Sequence, residues 1–296
     1  MKNRKDQKYY HMMLIPGMIF LFLFCILPMF GIVIAFEDFK PAKGVFGSSW
    51  AGLKWFEYMF KLPDTKEIFF NTLIIAVAKI VLNLIVPLVF AIMLSEVPGK
   101  HFRKFVQTVT YMPHFLSWVI LAGILTNFLS LEGIVNSVVE LFGGDPVQFL
   151  ASNEWFRTVL VVSDTWKGFG YSSIVYLAAI MNIDQQLYEA AAIDGAGRLK
   201  RILHVTLPGM LPIIMLMLTL SLGSVLSANF DQVFNLYSPV VYKTGDIIDT
   251  WVYRAGLQGY QYSLATAVGL LKSVVSTILI VVSYKLADKF AGYRIF

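Results

Sequence analysis

Long apolar runs alternate with short polar connections along the whole chain. Six runs reach about 20 residues, the length of helix that crosses a hydrocarbon core about 30 Å thick. They are 13–36, 69–95, 105–129, 156–180, 207–229 and 262–285. Each predicts a transmembrane helix, so the chain reads as an all-α integral membrane protein. Residues 13–290 form one membrane domain, with tails at 1–12 and 291–296. The first run has no charge between Met12 and Phe36, is longer than a signal-peptide core, and ends in Ala35-Phe36-Glu37 rather than a small-residue cleavage site. It is expected to be retained as a helix.

Composition agrees. Of the 296 residues, 57% are hydrophobic and 15% charged, against about half and about a quarter in soluble domains. The single cysteine, Cys25, lies within the first run and excludes an intrachain disulfide. A net charge of +5 would suit a nucleic-acid binder, but its placement fits a membrane. With the N-terminus inside, cytoplasmic segments hold thirteen Lys and Arg, among them Lys5, Lys100, Arg103, Arg198, Lys200 and Arg201. External segments hold seven, among them Lys40, Lys54 and Lys243. The connection between the third and fourth runs carries Glu132, Glu140, Asp145 and Glu154 with no Lys or Arg. The positive-inside rule then places both termini in the cytoplasm, and no nucleic-acid partner is needed to explain the basic excess.

The chemistry that is missing narrows the role. No G-x-x-x-x-G-K-[ST] phosphate cradle occurs, no H-E-x-x-H, and no cysteine cluster. The histidines His11, His101, His114 and His204 lack metal-ligand spacing. Neither catalysis nor a bound cofactor or metal is expected in this chain.

Two external connections are long. In 37–68, the aromatics of Trp50-Ala51-Gly52-Leu53-Lys54-Trp55-Phe56 suit the headgroup zone and predict an interfacial amphipathic helix. In 230–261, Ile247-Ile248, Trp251-Val252-Tyr253 and Leu257 recur at helical spacing after a Ser238-Pro239 turn, which predicts a short surface helix.

The connection between the fourth and fifth runs is the most specific segment. Residues 189–212 read E-A-A-A-I-D-G-A-G-R-L-K-R-I-L-H-V-T-L-P-G-M-L-P. The alanines Ala190, Ala191 and Ala192 favour a short helix with a thin face, open to close approach by another protein. Asp194-Gly195 stops it, since glycine accepts the left-handed backbone of a helix end. Leu207-Pro208 then places proline in the first turn of the next span. An ordinary helix–turn–helix would also use Asp-Gly, but would not require Glu189, Ala190, Ala191, Asp194, Gly195 and Ala196 together with Leu-Pro at this distance. The segment resembles the EAA loop of binding-protein-dependent ABC importer permeases. Six spans, this loop and the terminal Tyr293-Arg294-Ile295-Phe296 resemble the LplB-type branch of carbohydrate permeases, as does the Gly52-Leu53 to Phe56 element followed by Asn71-Thr72.

That resemblance implies a MetI-like type I importer fold. The loop, about 181–206, would be a cytoplasmic coupling helix docking on a separate ATPase. It also implies a heterodimer with a second permease, two ATPase copies that hold ATP and magnesium, and an external lipoprotein or periplasmic sugar-binding protein. The cargo would be an oligosaccharide. Leu211 stands where many relatives carry a basic residue, and Ile202 where an aromatic is usual.

Polar residues inside spans are costly and invite a functional reading. Asp164, Trp166, Lys167 and Tyr171 lie in the fourth run, Lys79 and Asn83 in the second, and Lys272 in the sixth. Asp164 and Lys167, three apart, share a helix face and are expected to neutralise one another. Lys79, Lys167 and Lys272 fall at comparable depths, which one water-filled cavity would explain; interhelical glue is the alternative. Three lysines lean toward an anionic, uronate-bearing sugar. Pro28, Pro87, Pro113 and Pro212 bend their helices, for packing more than for hinging. The expected function is the permease subunit of an oligosaccharide importer. The alternatives are a type I permease for another solute and a stand-alone secondary transporter.

Overall fold

Inside hydrocarbon a chain this apolar satisfies its backbone by forming helix. Helix makes up nearly all regular structure in the computed structural model, which describes residues 4–223 and 225–291. Helices of six residues or more are α1 (apolar part Lys8–Phe36), α2 (Lys54–Lys61), α3 (Thr65–Ser95), α4 (Lys100–Phe115), α5 (Trp118–Phe128) and α6 (Ile134–Leu141). They continue as α7 (Phe156–Met181), α8 (Gln185–Ile193), α9 (Arg198–Gly223), α10 (Phe230–Leu236), α11 (Ile248–Tyr253) and α12 (Tyr262–Ala291). Tyr293-Arg294-Ile295-Phe296 lies outside the described residues.

Among the described residues, four stretches can cross a membrane by length and composition: Lys8–Phe36, Thr65–Ser95, Arg198–Gly223 and Tyr262–Val282. A bent fifth is α4 with α5. The expected fourth span, α7, is a continuous helix of 26 residues, about 39 Å long. Two expectations change. The third run is broken by a bend of 105° between Phe115 and Trp118. There Met112–Phe115 tightens to 3₁₀ geometry, Leu116 is extended, and the Ser117 hydroxyl accepts from the Ile120 N–H to start α5. The fifth run stops at Gly223 rather than 229, and Asn229 (φ +68°) caps α10.

The described residues form two compact units, 4–65 with 252–271 and 66–251 with 272–291. In the first, α1 leaves apolar residues such as Met13, Phe20 and Phe24 more than half exposed, a face suited to lipid or a partner helix. At its end Glu37–Asp38 pairs antiparallel with Ser49–Trp50. The expected amphipathic helix is α2, held by Trp55 Nε1 donating to the Glu37 carbonyl (2.9 Å) and by Met59, which is buried.

In the second unit Ile75 of α3, Phe156 and Leu160 of α7, Val233 and Leu236 of α10, and Ile247 share one core. Ile247 and Ile248 are fully buried, so α11 starts in the core rather than on the surface as expected. Apolar contact with α3 and α7 outweighs the weaker gain of lying at an interface. Asn71 and Thr72 pin this segment: Thr72 Oγ1 accepts from the Ile248 N–H (2.9 Å), and Asn71 Nδ2 donates to the Lys243 carbonyl (3.0 Å).

Both α1 and α9 contain a π turn directly before a Leu-Pro pair: Phe22–Ile26 before Leu27-Pro28, and Ile202–Thr206 before Leu207-Pro208. In each, the leucine N–H reaches back five residues, to the Phe22 or the Ile202 carbonyl. A proline ring clashes with the carbonyl four residues earlier and lacks a donor of its own. Widening the preceding turn answers both problems. Pro208 therefore lies within a helix continuous from Arg198 and does not begin a new one.

Candidate functional site

The loop between α7 and α9 is built for presentation. Asp184 starts α8, its carboxylate accepting from the Gln186 N–H at 2.9 Å. The helix ends in a Schellman pair, in which Gly195 N–H donates to the Ala192 carbonyl (3.1 Å) and Ala196 N–H to the Ala191 carbonyl (2.9 Å). This closure needs a left-handed residue, and Gly195 has φ +75°. Glu189, Ala190 and Asp194 are exposed, while Ala191 and Ala196 are half-buried. Around them Leu187 (54% exposed), Ile193 (87%) and Leu199 (69%) form an apolar crest with no cover among the described residues.

Two contacts join the arms of the loop. The Tyr188 and Thr206 hydroxyls lie 3.0 Å apart. Gly209 lets Ile183 approach so closely that a Cβ there would meet its Cδ1 at 2.9 Å. The expected helix over 188–193 is thus present and longer, and the expected stop at Asp194-Gly195 is where it falls.

The six polar and aromatic candidates within the spans do not share one cavity. Lys79 (5% exposed) lies 3.5 Å from Asp164 and donates to the Ala228 carbonyl (2.8 Å) and to Gln232 Oε1. Asp164 accepts from Asn83 Nδ2 (2.9 Å) and Asn229 Nδ2 (3.1 Å). Gln232 Nε2 continues to the Leu160 carbonyl and Ser163 Oγ. A polar cavity of about 230 Å³ lies against Lys79, Asn83, Asp164 and Asn229. Asp164 is therefore paired with Lys79 and not with Lys167: its face of α7 turns to α3 and α10.

Lys167 turns to the break in the third span. Its ammonium donates to the His114 carbonyl (2.7 Å) and lies 5.7 Å from the Trp118 ring centre. Tyr171 stacks on His114 at 4.0 Å, with Phe115 edge-on at 6.1 Å. Phe115 (75%) and Tyr171 (44%) keep much of their ring surface open. Trp166 lines a separate apolar recess of about 240 Å³ with Leu125, Phe149 and Val162. Lys272 pairs with Asp249 at 2.5 Å, so it belongs to neither group.

Sequence reasoning missed His114, Phe115 and Trp118 as a group, and Gln232 and Asp249 as partners. Pro113 signalled the break that brings the first three together. Nothing local links Lys79 to residues about 150 positions later.

Comparison with known proteins fits this geometry. The family described as "Binding-protein-dependent transport system inner membrane component" matches residues 87–291. The polygalacturonan/rhamnogalacturonan transport system permease protein YteP of Bacillus subtilis (strain 168) is 42% identical, over 98% of this chain and 91% of its own length. Protein LplB of the same organism is 38% identical, over 97% of this chain and 90% of its own length. A chain of a crystallised bacterial ABC transporter involved in import of the acidic polysaccharide alginate superposes with TM-score 0.89 and 38% identity, covering 97% of both chains. A chain of a bacterial alginate ABC transporter crystallised in complex with alginate pentasaccharide-bound periplasmic protein also superposes at TM-score 0.89, with 37% identity over 96% of both chains. The fold is thus the MetI-like type I architecture expected from the sequence, and a stand-alone transporter finds no support. With the family match over residues 87–291 and these identities along nearly the full length, this protein belongs to the inner-membrane permease components of binding-protein-dependent ABC transport systems.

Proposed function

We propose that this chain forms half of the translocation path of an ATP-driven importer of acidic oligosaccharides. It pairs with a second permease, receives cargo from an external sugar-binding protein, and is driven by two copies of an ATPase that hold ATP and magnesium. The observation that carries the drive is the crest of Leu187, Ile193 and Leu199 around a Schellman-capped helix. Exposed apolar groups on a rigid mount suit a groove in another protein. The Lys and Arg distribution supports placing that crest in the cytoplasm, with both termini on the same side.

In this reading, ATP binding draws the two ATPases together and carries residues 189–196 with them. Movement of α8 shifts α9, and the paired permeases turn from inward-facing to outward-facing as one rigid-body step. Cargo charge is supported by relatives named for galacturonate polymers and alginate. Lys167 beside the open rings of Tyr171 and Phe115 suits a uronate unit: aromatic faces meet the sugar's C–H groups and the ammonium meets its carboxylate.

The test is reconstitution in proteoliposomes with the partner permease, ATPase and binding protein, comparing tetragalacturonate with neutral galactotetraose. Tetragalacturonate is expected to stimulate ATP hydrolysis and to be taken up. Equal or greater stimulation by the neutral sugar overturns the acidic cargo. Uptake by this chain alone overturns the importer role.

A further inference from the structure

A cavity of about 590 Å³ lies wholly within the first unit, where the end of α1, the helix α2 and the start of α12 meet. Its volume falls within the range of small-molecule sites, about 300–1,000 Å³. Phe39, Trp55, Tyr58, Tyr260 and Tyr262 supply its aromatic walls, with Asp38, Lys40, Lys54 and Gln261 among them. It shares no residue with the intramembrane groups around Lys79 and Lys167.

The walls are set before any ligand arrives. Lys54 binds both oxygens of Asp38, at 2.8 and 2.9 Å, and lies 4.9 Å from the centre of the Trp55 ring. Phe39 is tied to α12 by its N–H donating to Ser263 Oγ (3.0 Å) and by an edge-on contact with Tyr262 at 5.8 Å. Tyr260 is the unusual member. Its backbone is left-handed, φ +55°, while its side chain is 74% exposed. A left-handed tyrosine is strained, and an exposed ring gains little packing in return. The turn is held instead by its neighbours: the Gln261 N–H donates to the Ala255 carbonyl (2.9 Å) and the Gly259 N–H to the Arg254 carbonyl (2.8 Å). The strain fixes an open aromatic face beside the cavity.

We propose that this cavity is a carbohydrate subsite that holds one uronate-bearing unit of the cargo on the external face, apart from the intramembrane path. It rests on the function proposed above for cargo and orientation. Pyranose C–H groups, partly positive, lie against the negative faces of aromatic rings. Asp38 accepts from sugar hydroxyls, Gln261 both accepts from and donates to them, and exposed Lys40 takes the carboxylate as a charge-assisted pair. A phospholipid headgroup is the other anionic candidate near a membrane. The aromatic walls argue against it, because ring faces suit the C–H groups of a pyranose and a phosphodiester has none to lay against them.

The experiment uses the assembled permease–ATPase complex in phosphatidylcholine nanodiscs without binding protein, titrated with end-labelled tetragalacturonate. Saturable binding is expected. Lys40→Gln should weaken it about tenfold or more, the loss of a hydrogen bond to a charged group. Tyr260→Gly removes the ring while suiting the left-handed backbone, so it should weaken binding without lowering the thermal midpoint. Leu141→Ala, an exposed position on α6 outside this pocket and the intramembrane groups, should leave this binding unchanged. Absent binding overturns the proposal, as does binding that survives Tyr260→Gly or that is lost in Leu141→Ala. Binding displaced by phosphatidylglycerol doped into the disc, with retention of that lipid dependent on Lys40, overturns it in favour of a headgroup site. Uptake of tetragalacturonate by the complete importer reports the cargo separately. Wild-type uptake without pocket binding overturns this inference alone, whereas failure of both overturns the cargo as well.

Discussion

Gly195 offers the sharpest test of the coupling loop because its cost can be assigned to one cause. Its φ is +75°, and nothing lies within 4 Å of the position a Cβ would take. A side chain there meets no neighbour among the described residues of this chain, so within it substitution acts through the backbone alone. For an L-residue the left-handed conformation costs about 1–2 kcal/mol, and a β-branched side chain raises that further. Escape from it breaks the paired bonds from Gly195 and Ala196 to Ala192 and Ala191. A penalty of 1–2 kcal/mol lowers the ratio of closed to frayed helix ends by about 5–30-fold. In reconstituted importer, tetragalacturonate-stimulated ATP hydrolysis should fall in the order Gly, Asn, Ala, Val at position 195, with asparagine mildest because it tolerates this backbone. Because the residue is exposed, the thermal midpoint of the complex should hardly move across the series. Wild-type stimulation in Gly195→Val would refute the reasoning, and a large drop in thermal midpoint would reassign the residue to fold stability.

Three further outcomes follow from the geometry. Lys79→Met leaves Asp164 half-buried without its cation and should destabilise the protein by about 3–5 kcal/mol; Lys79→Met with Asp164→Leu should recover most of it in a thermal unfolding assay, and no recovery would show that the two are not coupled. Gly209→Val drives a side chain into Ile183 and should reduce coupled ATP hydrolysis, with Ile183→Ala restoring part of it; additive losses would count against the contact. Lys167→Ala and Trp166→Ala should each lower tetragalacturonate uptake, the first by about tenfold through loss of a charged hydrogen bond; wild-type uptake in both would remove α7 from the sugar path.

Hydropathy made the membrane class legible because burial in lipid demands runs of fixed length, and four of the six runs return as long apolar helices. It could not show the break at Leu116-Ser117. Both residues pass as membrane residues, and the bend follows from 3₁₀ tightening after Pro113 and from a serine cap. Spacing along one helix also misled. Asp164 and Lys167 are close enough to pair, yet the partner of Asp164 is on α3, and a pairing 85 positions apart leaves no local trace. Ile247-Ile248 carried helical spacing, but spacing does not distinguish a helix on a surface from one entering a core. The loop at 185–201 was read more closely because its structure is local. Alanine propensity, an Asp-Gly stop and a left-handed glycine act within a few residues of one another.

The cross-brace between Tyr188 and Thr206 bears on how force could travel. A helix hung from one flexible point pivots when pushed, and the displacement is lost in the swing. Here α8 and the turn leading into it are both tied to the same stretch of α9, at Tyr188 to Thr206 and at Ile183 to Gly209. Two separated ties resist torque as well as translation. Pressed from outside, α8 and the first turns of α9 would move together as a stiff bracket, delivering the displacement along the helix axis with little lost to bending.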